Sequence, residues 1–422
     1  MPDIAARIAV ENTAEIAPSR PAARAEGRRT DSDAWHRAAL AYADLLGTPA
    51  GGVAFVSLRP ASREALRTEL VGLGREAIPG DMVAIEVPAA RAGITREDLA
   101  TALFAGGFEA PLIWAGRDLL KRESRRNRPV IGLISSAALG DAPRRLPGLD
   151  LDLAAARGSL VAVARRADAA LPQERPWRLS VLMPVFNEKA NFRTTMERLL
   201  AKEIPGFEIE ICLVESNSRD GTRDDVLAYK DHPRVRLLLE DKPSGKGHAV
   251  RAALALATGD VVLIQDADSE YDIADYDKLL RPIRDLEASF VLGSRHKAGE
   301  KAWNIRSFEG QRSLSGILNL GHLVFAGMLN AAFGERMRDP FTMYKVFRRD
   351  AVRNVRFECN RFDFDLELVA KLIRMGRRPI EIDVSYHSRS FEEGKKVSFF
   401  RDPPTWVRAC LKHRFSPLFD WH

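Results

Sequence analysis

The sequence predicts an α/β fold in two successive domains. Segments of strand length alternate with segments of helical period along most of the 422 residues. The alternation is interrupted once, at residues 169–178 (AALPQERPWR), a polar, proline-containing stretch that reads as a linker. Beyond that break the apolar runs are continuous, as in strands buried on both faces, and several end in short loops rich in Asp, Glu, Asn and Gly.

Length alone implies more than one domain. Hydrophobic residues make up 45% and charged residues 29%, the balance of a packed globular protein, and a net charge of +6 suits a partner that carries phosphate. The three cysteines, Cys212, Cys359 and Cys410, lie far apart with no metal-ligand spacing and read as free thiols of a reducing compartment.

Residues 1–35 mix Ala, Arg, Glu and Pro without the apolar core of a signal peptide and are expected to be a disordered tail. A smaller α/β domain follows at 36–168. Its strands are GGVAFVSL (51–58), DMVAIEVP (81–88) and APLIWAG (110–116), and its helices 62–77 and 94–108. Alternation at this spacing predicts a parallel sheet. After the linker, strands are expected at 178–186, 208–216, 235–241 and in 260–272, the last running directly into acids, with helices at 190–201, 222–231 and 247–259. One uncharged stretch, Ser313 to Gly334, is long enough to span a bilayer. Asn319, His322, Asn330 and four glycines interrupt it, so a buried or membrane-surface helix pair is expected in place of a span.

In an open parallel sheet, ligands gather beyond the carboxyl ends of the strands. Three polar clusters fall at such ends: Pro184-Val185-Phe186-Asn187-Glu188, Glu215 to Thr222, and Gln265-Asp266-Ala267-Asp268-Ser269-Glu270. Residues two apart in an extended chain point the same way. Asp266, Asp268 and Glu270 would then turn oxygens to one side, which suits Mg2+ or Mn2+ bound together with substrate phosphate oxygens. Asn187, Glu188, Glu215, Asn217, Ser218 and Asp220 offer polar groups suited to a ribose and a planar base. Lys246, flanked by Gly245 and Gly247, could meet a diphosphate as a point charge.

The stretches LSVLMPVFNE, CLVESNSRDGT, KPSGKGHAVRAALALATGDVVLIQDADSEYD, FVLGSRH, RDPFTMYKVFRRD and FDFDLELVAKLIRMGRRPIEIDVSYHSRSFEEGKK occur in an order that resembles family 2 glycosyltransferases of the GT-A fold, in particular the dolichyl-phosphate mannosyltransferase-like branch. The resemblance covers about 179–400. It implies a Rossmann-like nucleotide-diphospho-sugar transferase domain that moves a sugar with inversion from a nucleoside diphosphate sugar. It also implies that Pro184, Asn187 and Glu188 meet the nucleoside, with Phe186 beside them, and that Asp266, Asp268 and Glu270 serve the metal and phosphates, next to Gln265. There are departures: Glu215-Ser216 stands where the family has two adjacent acids, and Glu270 where the branch commonly has Gln. Residues 45–165 resemble a class I methyltransferase fold more weakly. Because no glycine-rich turn follows the first strand, a degenerate, non-catalytic domain is expected there.

On the acceptor side, Asp339 matches the position of a family acid that deprotonates a hydroxyl acceptor. A lipid phosphate needs no such base, being already anionic. Arg295, and Arg389, Lys395 and Lys396 of SRSFEEGKK, suit phosphate contact. The tail at 401–422 interleaves Phe, Trp and Arg in a manner suited to an anionic membrane surface, and no nucleic-acid-binding module is recognisable. The expectation is therefore transfer to a polyprenyl-phosphate or other lipid-linked acceptor, in peripheral contact with the inner face of the cytoplasmic membrane. The alternatives are transfer to a glycan hydroxyl in cell-envelope polysaccharide synthesis, and a non-catalytic binding protein.

Overall fold

The structure, a computed structural model, describes residues 53–88, 93–115, 160–167, 170–296, 312–353, 355–387, 408–410 and 412–414. The smaller unit contains β1 (Val53–Ser57), α1 (Arg63–Glu76), β2 (Met82–Val87), α2 (Arg96–Ala105), β3 (Phe108–Ala115) and β4 (Leu160–Arg166). Its sheet has the order β1-β2-β4-β3, and only β1 and β2 are parallel. β4 inserts between β2 and β3, antiparallel to both. The expected parallel sheet is thus corrected to a mixed one. The sequence reading missed β4, a short apolar run ending in two arginines just before the linker. Nothing in this four-stranded arrangement supports the methyltransferase resemblance.

The larger unit contains β5 (Trp177–Val185), α3 (Phe192–Ala201), β6 (Phe207–Glu215), α4 (Thr222–Leu227), β7 (Val235–Leu239), α5 (Lys246–Leu256), β8 (Val261–Ile264), α6 (Tyr276–Arg284) and β9 (Phe290–Ser294). It continues with α7 (Arg312–Phe333), β10 (Lys345–Arg348), α8 (Phe364–Arg374) and β11 (Ile380–Asp383). The seven strands run β11-β9-β10-β8-β5-β6-β7, with β10 antiparallel to both neighbours. β5 lies inside the sheet and shows why its apolar run is unbroken. Leu179, Val181, Met183 and Val185 join one core and Leu182 the other, so both faces are buried.

The two units are packed together through α2. Phe104 lies 5.1 Å from Trp177, and the Arg348 guanidinium sits 4.5 Å over the Phe104 ring while donating to the Ala100 carbonyl at 3.1 Å. Arg377 pairs with Glu97 at 3.1 Å. Residues 312–333 form one 22-residue helix, which corrects the expected helix pair. Its glycines do not break it. Among the described residues, no helix is long and apolar enough to cross a membrane. The 1–35 tail, Arg389, Lys395, Lys396 and most of 401–422 lie outside the described residues.

Candidate active site

β5 pairs in parallel with β6 and with β8, so their carboxyl ends open on one edge of the sheet. A cavity of about 760 Å³ opens there, and Pro184, Phe186, Glu188, Lys246, Asp266, Asp268, Glu270 and Arg295 line it. Eight residues singled out in the sequence thus share one cavity wall. Asn187, Glu215, Asn217, Ser218, Asp220, Gly247, Gln265 and Asp339, also predicted, are not part of that wall.

Most of these hold the wall in place. Asn187 and Asn217 both have positive φ, 50° and 57°, a conformation that Asn tolerates. The Asn187 amide oxygen accepts from the Arg219 backbone N–H at 2.9 Å, and its own N–H donates to Ser218 Oγ at 2.9 Å. Glu215 is fully buried and accepts from the N–H groups of Ser218 at 2.6 Å and Asn217 at 3.2 Å, with Arg223 at 3.3 Å. Asp220 accepts from Thr222 N–H and Lys189 N–H, pinning the start of α4 to the first loop. Gln265 is braced by the hydroxyls of Tyr276 and Tyr344 and donates to the Asp266 carbonyl at 2.7 Å. Short polar side chains in tight loops satisfy nearby backbone groups first. The ribose-and-base role read into Glu215, Asn217, Ser218 and Asp220 is thereby replaced by a scaffolding one.

The acidic loop also departs from expectation. It does not continue as an extended strand: Ala267 and Asp268 form a turn, and Ser269 has φ of 60°. Asp266, Asp268 and Glu270 still face one cavity, but their carboxylate oxygens are not gathered within 4.8 Å of one another. Asp266 meets the Lys246 ammonium at 2.6 Å, Asp268 Oδ1 accepts from the Glu270 N–H at 3.1 Å, and Glu270 accepts from the Tyr386 hydroxyl at 3.1 Å. Among the described residues, one trio of His, Cys, Asp or Glu brings its ligand atoms within 4.8 Å, and it is Cys359, Glu367 and His413. That trio is a satisfied buried network, with the Glu367 carboxylate accepting from the Cys359 N–H at 2.8 Å and the Lys371 ammonium at 2.7 Å. Asp266 and Asp268 do share the cavity wall. Two carboxylates suffice for a hard cation that keeps phosphate oxygens among its ligands. Their chemistry fits Mg2+ or Mn2+, whereas Glu270 is held by Tyr386.

Lys246 opens α5. Gly245 before it has φ of 103°, and a Cβ there would lie 2.4 Å from the Asn360 carbonyl oxygen. At Gly247 a Cβ would stand 2.6 Å from Phe364 Cβ and 2.7 Å from the carbonyl oxygens of Cys359 and Arg361. These glycines admit the 359–364 segment across the first turn of the helix, not a ligand as the sequence suggested. Burial opposes the charge on Lys246, but Asp266 and Asp365 outweigh it and raise its pKa.

Arg295 and Asp339 form a buried bidentate pair. Nε and a terminal guanidinium nitrogen donate to the carboxylate at 2.7 Å each, and the Arg295 N–H adds a third bond at 3.0 Å. Burial would raise the Asp339 pKa, yet Arg295 overturns this and holds the carboxyl well below the usual range. An acid so engaged, and off the cavity wall, is not placed to take a proton from a substrate hydroxyl. That corrects the general-base expectation. His322 of α7 lies 3.8 Å from the same carboxylate, and burial pushes its pKa down to about 4.

Sequence reasoning missed Tyr271, Phe341, Phe362, Asp365 and Tyr386, which also line the cavity. Tyr271 and Tyr386, bridged in the fold, are distant in sequence, so no local spacing relates them. All five nonetheless lie within stretches that resemble the family and could have been found there.

Comparison with known proteins agrees with this geometry. The family model described as glycosyl transferase family 2 matches residues 180–356. A dolichyl-phosphate beta-glucosyltransferase of Trichomonas vaginalis is 30% identical over 202 residues, 44% of this chain and 57% of that protein. The Drosophila melanogaster dolichyl-phosphate beta-glucosyltransferase is 30% identical, over 45% of this chain and 61% of its own. An undecaprenyl-phosphate mannosyltransferase of Micrococcus luteus is 27% identical over 52% of this chain and 87% of its own. The chain thus spans about three fifths of the two dolichyl-phosphate relatives' length. The strands, acidic loop and ion pair that build most of this cavity fall within the matched segment, and that segment is a glycosyl transferase family 2 domain.

Proposed function

We propose that the protein is an inverting, metal-dependent glycosyltransferase that moves a sugar from a nucleoside diphosphate sugar to a polyprenyl phosphate. One observation carries this reading: Asp266, Asp268, Lys246 and Arg295 line a single cavity at the carboxyl edge of the sheet. That cavity therefore joins an acidic corner for a cation to two side chains that bind phosphate. Pro184, Phe186 and Glu188 would border the nucleoside. Lys246 would orient the diphosphate. Asp266 and Asp268 would hold Mg2+ or Mn2+, which when bound supplies positive charge against the departing diphosphate. Arg295 would orient the acceptor phosphate, whose oxygen is anionic at neutral pH and attacks without a base. The engagement of Asp339 by Arg295 favours this acceptor over a glycan hydroxyl. The named relatives, dolichyl-phosphate and undecaprenyl-phosphate transferases, lend it further support.

Peripheral contact with an anionic membrane belongs to the same reading. Leu320, Leu323 and Val324 form an outward apolar stripe on α7, 58%, 49% and 59% exposed, on the helix that carries His322 to the Arg295–Asp339 pair. No nucleic-acid partner is proposed. The test is a transfer assay with a panel of nucleoside diphosphate sugars and Mn2+, offering undecaprenyl phosphate in detergent beside a soluble glycan. The expected product is a sugar on the lipid phosphate, reduced about 100-fold in Asp268→Ala. Label on the glycan alone would favour the hydroxyl reading. No turnover and no thermal stabilisation by any nucleotide sugar would leave a binding protein.

A further inference from the structure

Lys246 stands out in the donor cavity because its ammonium occupies the carboxylate that the proposed metal needs. It donates to Asp266 Oδ2 at 2.6 Å, touches Met343 Sδ at 3.0 Å, and lies 5.7 Å over the Phe362 ring. Both partners are largely withdrawn from water, with side-chain exposures of 19% and 16%, so the pair is only weakly screened by solvent. The cavity wall around it is acidic, with Asp268 and Asp365 nearby. Lys345 holds Asp365 at 3.0 Å from inside the core, leaving Lys246 as the cation paired with Asp266 among the described residues. The backbone of Lys246 is fixed by the crossing of 359–364 over its flanking glycines, but the side chain has four rotatable bonds with which to reach elsewhere in the cavity.

We infer that Lys246 is a charge placeholder that binds Asp266 until nucleotide arrives and then passes to the donor diphosphate, exposing Asp266 to the metal. This rests on the donor-site reading above. An ammonium and a divalent cation on one carboxylate repel each other, so a metal on Asp266 would favour the departure of Lys246. A diphosphate offers the displaced ammonium an anionic partner in the same cavity. Nucleotide and metal therefore bind with positive coupling, each making room for the other, and by linkage the coupling is reciprocal. Lys246 acts here as a positioning residue. Its exchange keeps an unloaded site from trapping a cation and ties the arrival of the metal to that of the donor.

The experiment measures free Mn2+ by electron paramagnetic resonance during titration of the full chain, alone and with each of a panel of nucleoside diphosphates. The wild-type protein should bind Mn2+ at least about tenfold more tightly with the accepted nucleotide than without, within the ordinary range of site–site coupling. Lys246→Met should bind Mn2+ alone about fivefold more tightly than wild type and lose most of the nucleotide effect. Lys246→Arg, which keeps the charge, should not tighten Mn2+ binding alone, and this arm controls for misfolding of the Met variant. If wild type shows coupling but Lys246→Met binds Mn2+ alone no more tightly, the exchange is refuted while the donor site stands. If wild type binds no Mn2+ with any nucleotide, the donor-site reading fails and the exchange with it.

Discussion

Replacing Asp339 by Asn tests whether this acid serves as a brace or as a base. The carboxylate is fully buried and receives three hydrogen bonds from Arg295, whose side chain is only 5% exposed. An amide keeps one acceptor oxygen and loses the charge, so Arg295 would remain buried with its cation uncompensated. Breaking a buried pair from one side costs about 3–5 kcal/mol, and the residual acceptor places Asp339→Asn near about 3 kcal/mol. Urea unfolding followed by tryptophan fluorescence, compared for D339N, R295M and the double variant, isolates the pair. The double variant should be less destabilised than the sum of the singles by about 2 kcal/mol, because neither charge is then left alone. The pH dependence has a definite sign. The folded pKa of Asp339 is depressed, so the pair's contribution is complete above the unfolded carboxylate range of about 3.9 and fades as pH falls below it. A D339N protein within about 0.5 kcal/mol of wild type, with additive singles and abolished turnover, would refute the brace and restore Asp339 as a base.

Two further outcomes are expected. Gly247→Ala places a methyl 2.6–2.7 Å from Phe364 Cβ and two backbone carbonyl oxygens, none of them the end of a flexible side chain. Overpacking of this kind costs about 1–3 kcal/mol, and the displaced 359–364 segment should weaken nucleotide affinity measured by calorimetry. Burial lowers the pKa of His322 and of His413 to about 4 each, so a proton prefers the unfolded chain. Stability should be complete above about pH 6.5 and fall by up to about 1.4 kcal/mol per pH unit per group as pH drops toward 4, with the two imidazoles staying neutral by NMR across pH 6–8.

The placement of the cavity was legible in the sequence. A continuous apolar run of strand length suits a strand buried on both faces, and β5 and β8 are such strands, whose parallel pairing brings the loops beyond them to one edge of the sheet. Strand–helix alternation and the family stretches depend on local pattern, and local pattern survives in a linear string. What that string could not disclose was which polar groups would face the cavity and which would be used up in holding it. Glu215 and Gln265 looked like ligands by residue type, yet each is consumed by neighbouring backbone or side-chain groups. Only the turn at Ala267–Asp268, with Ser269 left-handed, decided that three acids at alternate positions would not converge. The pairing of Arg295 with Asp339, of Lys246 with Asp266 and of Tyr271 with Tyr386 was likewise decided by tertiary structure. Each joins segments separated by 20 residues or more, and the energy of a buried charge depends on the partner the fold brings to it, which spacing along the chain does not encode.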